Sequence, residues 1–578
     1  MYKNIECILI EPEQTILEAM EVIEKAPHEC GISGLAVVVD KEKKIAGVVT
    51  DGDIRSAILH KRQLTDPVSE IMTPDPIAVT NHINPVKMYE DAVTLLNGST
   101  RMLDKASGKI IIVDEQKHVV DVVSFLHLLR QADIKTKRIA VIGLGFVGLT
   151  LAVVLADVGF QVLGVELRES VRESLNKGKP HFYEAGLANQ LRYHIGKRLK
   201  IAEDFSHDKD VDVYIISVGT PVDANHQPIL ADVQAAATSI ARVLKPGNIV
   251  MLRSTVPVGT TRKEIIPILE KISGLKAGKD FSVVFAPERT VAGKAIKELR
   301  TLPQIIGATD KQGAEIAAAI FRQMTTTIVR VDNLEAAEMV KLINNSFRDL
   351  IFSFSNEIAL LCENWNLDAY RIIEAANEGY PRDPVPYPSP GVGGICLKKD
   401  PHLLNASAEA IGHHSNLFGL SRKVNEFMPY HVRQKFEKFC RRIDREPDSM
   451  KVFVIGLAFK GWPETSDMRD STGIDLVRHL QQTGAEVYGY DPVVDDETMR
   501  SFAGIEPVSL EEGFRDADAV FVMNNHPSYE DWDLYALLKL MHKPGLFFDG
   551  WKMFHEEEIL RIPSIGYSTV SRNLGWNG

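Results

Sequence analysis

A chain of 578 residues is too long for one ordinary hydrophobic core, so length alone predicts three or four domains. Hydrophobic residues make up 45% and charged residues 25%, a globular composition, and no uninterrupted apolar run is long enough to cross a bilayer. Against 66 basic residues stand 78 acidic ones, and the formal charge of -12 argues against nucleic acid as a partner; small anionic ligands would need local cationic pockets.

The start, "MYKNIECILIEPEQ", has no basic segment followed by an apolar core and cleavage site, so it predicts a cytoplasmic protein without membrane association. Cys7, Cys30, Cys362, Cys396 and Cys440 are odd in number, scattered and without a CxxC pair. That pattern suggests neither a disulfide framework nor a metal site, and fits a reducing compartment.

Two N-terminal segments share one grammar: apolar strand, charged turn, second strand, helix. They are "GLAVVVDKEKKIAGVVTDGDIRSAIL" from Gly34 and "KIIIVDEQKHVVDVVSFLHLLR" from Lys109. Thr50 aligns with Ser124, and Asp53 with His127. The pair resembles tandem CBS domains, whose Ser or Thr followed three positions later by Asp holds a nucleotide ribose. Thr50 and Asp53 keep that pattern, which implies a regulatory adenine-nucleotide site; His127 breaks it in the second repeat. A purely structural or dimerising module is the alternative.

At Ile139 the chain changes character. "IAVIGLGFVGLTLAVVLADVGFQVLGVEL" reads as a buried strand, a glycine-rich turn, a close-packed helix and a second strand ending at Glu166. Gly143, Gly145 and Gly148 complete GxGxxG, with Phe146 and Val147 between them, and Glu166 stands near the distance at which an acid receives the ribose hydroxyls of NAD. Later strands, in "VDVYIISVGT", "GNIVMLRST" and "FSVVFAPE", each run into a loop with a polar residue where open α/β sheets bind ligands: Thr220, Thr255 and Glu288. From about Asn333 to Cys440 the pattern is helical, interrupted by "GYPRDPVPYPSPGVGG". "KVFVIGLAFKG" then restarts a strand and turn without a second GxGxxG.

The fold class is therefore α/β: two Rossmann-like doubly wound domains joined by a helical segment and preceded by a CBS pair. The expected boundaries are 1–134, 135–332 for the NAD-binding domain, 333–445 for the central helical domain, and 446–578 for the second Rossmann-like domain.

Within "PSPGVGGICLKKDP" from Pro388, Cys396 is a lone thiol beside glycines and two lysines. Cations favour the thiolate, the nucleophilic form, although most cysteines are inert packing. "GLGFVG", "STVPVGTT", "APERTVAGKA", "VKLINNSFRDLIFSFSNEIALLCE", "PGVGGICLKKDP" and "IGLAFKG" with "DMRDS" occur in the order of the nucleotide-sugar 6-dehydrogenases, and the chain resembles that family from Ile139 onward. The resemblance implies four-electron oxidation of a sugar C6 alcohol by two NAD, through a thiohemiacetal and a thioester on Cys396. It assigns Lys341 and Asn345, one helical turn apart, to the C6 oxygen. Asp400 takes proton handling, Glu288 and Thr255 the hydrolytic water, and Lys460 and Arg469 the nucleotide diphosphate. Gly393 leaves room for substrate, and Arg382 reaches a neighbouring subunit, so a homodimer or larger oligomer is expected. "PER" before "GKA" and "NNSFRD" look like enzymes of UDP-N-acetylhexosamines, GlcNAc or ManNAc. Ile395, where that group usually has His, looks closer to UDP-glucose enzymes. A function of another class, a nucleotide-sensing scaffold with an inactive dehydrogenase half, is disfavoured by the presence of Cys396, Lys341 and Glu288.

Overall fold

The computed structural model describes residues 5–74, 76–81, 88, 91–92, 94–95, 108–124, 134–205 and 210–576. It divides into two compact units, Met1–Lys137 and Arg138–Gly578.

In the first unit, strands β1 (Leu9–Ile10), β2 (Leu35–Val39), β3 (Ile45–Thr50) and β4 (Thr73–Pro74) form one sheet, and β5 (Ala78–Thr80), β6 (Lys109–Val113) and β7 (Val119–Ser124) another. The repeat is exact in register. Leu35 pairs with Thr50 and Lys109 with Ser124, and each hairpin slips by one residue near its turn, at Val38/Val39 and at Ile112/Val113. Ser124 therefore occupies the place of Thr50; His127 lies outside the described residues. Helix α1 (Ile16–Glu29) starts at a capping box in which Thr15 and Glu18 satisfy each other's backbone N–H groups. Helix α2 (Asp51–Leu59) starts at a second one, from Thr50 and Asp53.

One expectation fails here. Cys7, in the turn Ile5–Ile8, and Cys30, the residue that ends α1, form a disulfide with Cα atoms 6.6 Å apart. Their 23-residue separation hides the pairing in the sequence, because only the folding back of α1 onto the turn brings them together. Cys362 and Cys440 are free and buried, and Cys396 is free and exposed. Among the described residues no helix is long and apolar enough to cross a membrane.

The second unit begins with an eight-stranded sheet. Its strands are β8 (Arg138–Ile142), β9 (Gln161–Val165), β10 (Leu199–Ala202), β11 (Val213–Ile216), β12 (Ile249–Leu252), β13 (Ser282–Phe285), β14 (Gln304–Ala308) and β15 (Ile328–Arg330). They lie in the order β10-β9-β8-β11-β12-β13-β14-β15, parallel except where β14 meets β13. The order reverses between β8 and β11, which opens a crevice beyond their carboxyl ends. Helix α3 (Phe146–Asp157) follows β8 and is buried from Gly148 to Ala156, as its unbroken run of small and aliphatic residues predicts.

Four helices then carry the middle of the chain: α4 (Leu334–Asn364), capped by Asn333; α5 (Ala369–Asn377); α6 (Ile395–Glu409); and, after a short connection, α7 (Leu417–Arg442). The second doubly wound sheet comprises β16 (Lys451–Ile455), β17 (Glu486–Tyr490), β18 (Glu506–Pro507), β19 (Ala519–Val522), β20 (Gly545–Asp549) and β21 (Ile565–Thr569). It is wholly parallel in the order β18-β17-β16-β19-β20-β21, the same winding as the first six strands of the larger sheet.

Candidate active site

The crevice of the first sheet is built for a dinucleotide. A Cβ on Gly148 would lie 1.9 Å from the Gly143 carbonyl oxygen, so only glycine lets α3 start so close to β8. Beside Gly145, which caps α3, there is open space within 4 Å, and no side chain caps the start of the helix. A pyrophosphate fits such a helix start. Phe146 and Val147 form the first turn, and Thr220, beyond β11, donates its hydroxyl to the Thr255 carbonyl at 2.5 Å, fastening two loops at the crevice. Glu166 directly follows β9. It accepts from Leu144 N and is gripped by the Arg168 guanidinium at 3.0 Å. Burial works to raise its pKa, but the Arg168 contacts outweigh burial and hold the carboxyl below its usual range.

The thiol lies at the start of a helix rather than in the turn that precedes it. Gly394 caps α6, Cys396 is the second helical residue, and its side chain is exposed. A helix N-terminus favours negative charge. One turn on, Asp400 is fully buried and accepts from Asn345 Nδ2 at 2.5 Å and from Lys399 Nζ at 2.7 Å. Lys341, a turn before Asn345 on α4, is also buried and is an electrostatic neighbour of Glu288. Cys396, Asp400, Asn345, Lys341 and Glu288 thus form one connected array drawn from three segments.

Two expectations change. Neither lysine beside the cysteine is reserved for the thiol, since Lys398 pairs with Asp475 at 2.6 Å and Lys399 with Asp400. The cation that couples electrostatically to Cys396 is Arg469, whose own pKa is raised first by its hydrogen bonds to Asp467 and further by Cys396. Nor do the glycines leave room for substrate. A Cβ on Gly393 would meet the Asp470 carbonyl at 2.8 Å, and one on Gly394 the Phe459 ring at 2.7 Å. Protein already fills that space, because the second doubly wound domain closes on the turn.

Models of the UDP-glucose/GDP-mannose dehydrogenase family match in series: the NAD binding domain over residues 137–325, the central domain over 335–427 and the UDP binding domain over 453–556. The CBS domain model matches residues 3–60. The chain is 34% identical over 441 residues to UDP-N-acetyl-D-mannosamine dehydrogenase of Pyrococcus horikoshii, covering 76% of this chain and 99% of that protein. The chain belongs to the UDP-glucose/GDP-mannose dehydrogenase family. A UDP-N-acetyl-D-glucosamine 6-dehydrogenase of Pseudomonas aeruginosa is 30% identical over 423 residues, 72% of this chain and 96% of its own. The solved structure of a UDP-glucose dehydrogenase from Pyrobaculum islandicum superposes with a TM-score of 0.66 at 29% identity, covering 76% of this chain and 98% of that one. This protein is an NAD-dependent nucleotide-sugar dehydrogenase.

In this dehydrogenase Lys460 is half-buried and donates to the Ala292 carbonyl at 2.6 Å. Burial pushes its pKa down to about 8, against the pull of Glu184. Arg382 is exposed and lies against its own Tyr380, donating to that hydroxyl at 2.9 Å. Glu288 is buried in a clamp. Its Oε2 accepts from Arg253 Nε at 3.1 Å and from Arg253 Nη2, and its Oε1 from the N–H groups of Arg289 and Thr290. Burial raises its pKa, and Arg253, the Thr290 N–H and Lys341 together more than offset it, so the group is held below the ordinary carboxylate range.

Arg253 and His181 are the residues that sequence reasoning missed. Arg253 sits in plain view in "LRST", an arginine directly after a buried strand that only an internal carboxylate can accommodate. Burial, with Arg168, pushes the pKa of His181 down to about 4, and Glu166 and Arg469 act on it more weakly. His181 carried no sequence signal.

In the first unit Thr50 and Asp53 line a cavity of about 350 Å³ together with Asp51, Arg55 and Lys109. Asp53 Oδ2 accepts from both the N–H and the hydroxyl of Thr50 at 2.8 Å, so the ribose-holding pattern is also the cap of α2.

Proposed function

We propose that this dehydrogenase oxidises the C6 alcohol of a UDP-N-acetylhexosamine, GlcNAc or ManNAc, to the uronic acid for glycan precursor synthesis. The arrangement that carries the reading is an exposed thiol at a helix start, one turn from a buried carboxylate bonded to Asn345. Bound NAD supplies the hydride acceptor for each of two oxidations. Lys341 and Asn345 hold O6 and its developing charge, and Asp400 takes its proton. Cys396 Sγ then adds to the aldehyde carbon, because an aldehyde must become tetrahedral before it can lose a second hydride. Loss of that hydride leaves a thioester. Water attacks it and the thiolate departs, so one alcohol, one water and two NAD give one carboxylate, two NADH and three protons. Glu288, held as a carboxylate by Arg253, orients that water beside Thr255, while Lys460 and Arg469 receive the diphosphate.

The names of the relatives and the segments "APERTVAGKA" and "NNSFRD" support the N-acetylhexosamine. Ile395 before the thiol, with "KKD" after it, favours UDP-glucose as the second reading. Comparing kcat/KM across UDP-GlcNAc, UDP-ManNAc, UDP-glucose and GDP-mannose decides between them. Two NADH per sugar are expected, and Cys396→Ser should lower uronate formation by several orders of magnitude. A residual rate within about tenfold, ~1.4 kcal/mol in the barrier, refutes covalent catalysis at this residue.

An apolar stripe on α4, Ile343, Phe347, Phe354 and Leu361, is exposed in the single chain and supports a homodimer along this helix. Phe347→Asp should leave a monomer in sedimentation. An adenine nucleotide is assigned to the 350 Å³ cavity, with Arg55 and Lys109 as its cations. Titration calorimetry of AMP, ADP and ATP, with and without UDP-sugar, tests it, and indifference to Asp53→Ala refutes it.

A further inference from the structure

The turn that delivers Cys396 is the end point of a buried polar chain that crosses the helical domain. Ser389 N–H donates to Asn356 Oδ1 at 2.9 Å, and Asn356 Nδ2 donates to Asn425 Oδ1 at 2.9 Å. Asn425 Nδ2 donates to Asp349 Oδ1 at 2.8 Å and to the Asp349 carbonyl at 3.0 Å. Arg422 Nη1 closes the chain on Asp349 Oδ1 at 2.5 Å. Asp349, Asn356, Asn425 and Arg422 are all at most 1% exposed. Every carboxamide accepts on the side of the turn and donates on the side of the anion, so the bonds run head to tail and polarise one another.

Burying an ion pair and two amides in a helical core is a poor route to stability, since apolar side chains of equal volume do as well or better. What such a chain does provide is a fixed distance and direction. Its far end lies on α4, the helix that carries Lys341 and Asn345, and its near end is seven residues before the thiol. The turn is held on its other flanks too. Tyr370 donates its hydroxyl to the Pro388 carbonyl at 3.1 Å, the Ser389 hydroxyl donates to the Gly391 carbonyl, and Gly394 N–H donates to Asp470 O. Gly391 rests on the Asn425 backbone, where a Cβ would meet its carbonyl oxygen at 3.0 Å.

We propose that Asn356 and Asn425 are positioning residues that set the Cys396 thiol against the groups on α4 that hold the C6 oxygen. The proposal rests on the thiol reading above. Asn356 touches no reacting atom; it fixes the turn on which the thiol rides, and the second oxidation, which needs the thiol, depends on it more than the first.

The test compares parent, Asn356→Ala, Asn356→Asp and Ser421→Ala. Ser421 donates to Asp349 Oδ2, off the path to the turn. Besides Tm, four quantities are read well below each melting temperature: KM for the UDP-sugar, the rate of uronate formation, the alkylation rate of Cys396 by iodoacetamide, and NADH formed per sugar with semicarbazide present to trap aldehyde. Asn356→Ala should keep KM within about twofold and lower uronate formation on the order of 10²-fold, the loss expected for a misplacement near 1 Å. NADH per sugar should fall from two toward one as aldehyde is trapped, and the alkylation rate should change. Ser421→Ala should lower Tm alone. Where the alanine variant does not fold, the isosteric Asn356→Asp carries the test, since it cannot donate to Asn425 Oδ1. A lowered Tm with parental alkylation and two NADH per sugar overturns the proposal. Cys396→Ser that still makes uronate would instead overturn the thiol reading, and the alkylation rates judge the positioning role independently of it.

Discussion

Arg253 and Glu288 are the buried pair whose removal should be most revealing. The two side chains are 1% and 8% exposed, and Arg253 also donates to the Ala286 carbonyl and to Gln304, both at 3.0 Å. Arg253→Met keeps most of the volume but leaves a buried carboxylate with two backbone N–H groups as hydrogen-bond donors and Lys341 as its remaining electrostatic neighbour. Removing one partner of a buried pair costs about 3–5 kcal/mol, or roughly 6–20 °C in Tm for a domain of this size. The pH dependence separates this from simple packing loss. In the parent, the folded pKa of Glu288 lies below its ordinary value, so its contribution is fully present above the usual carboxylate range and is lost only as pH falls through the folded value. Without Arg253, the largest influence left is burial, which raises the pKa. Stability linked to a raised pKa is present at low pH and lost as pH rises through it. The penalty of Arg253→Met should therefore be larger at pH 7.5 than at pH 5. Calorimetric unfolding of the parent, Arg253→Met, Glu288→Gln and the double variant at both pH values checks it, and the double should lose about 1–3 kcal/mol less than the sum of the singles. A penalty equal at both pH values and additive in the double would refute the argument.

Gly394→Ala puts a Cβ 2.7 Å from the Phe459 ring at a φ of +89°, and should cost about 1–3 kcal/mol while slowing Cys396 alkylation; partial recovery with Phe459→Leu would identify the clash as the cause. Lys460, with its pKa near 8, is charged below that pH, so kcat/KM for the UDP-sugar should decline as pH rises from 7.5 to 9.5. Lys460→Met should flatten that decline, and an unchanged profile would remove Lys460 from diphosphate binding.

The winding of both sheets and the glycine-rich start of α3 were legible because buried parallel strands are short apolar runs that end at ligand loops, a local pattern. Asn345 and Asp400 were legible as members of motifs, but their 2.5 Å bond, across 55 residues of sequence, was not. Charge was read worst. Lys398 and Lys399 beside a cysteine suggest thiolate support, yet a helix start sends them to Asp475 and Asp400 and brings Arg469 from another domain instead. Gly393 and Gly394 were read as room for substrate; what approaches them is Phe459 and Asp470, which no local pattern discloses.

The Cys7–Cys30 bond gives the two units different chemical vulnerabilities. Closing a loop of 23 residues in the unfolded chain is worth about 3 kcal/mol, a large share of the stability of a small module. The other unit holds its three cysteines as thiols and owes nothing to such a bond. A mild reductant should therefore lower the melting of residues 1–137 and spare that of the catalytic unit, whereas a thiol alkylating agent should silence Cys396 and spare the module. One chain would then lose stability in one unit to a reductant and activity in the other to an electrophile, as two separable losses.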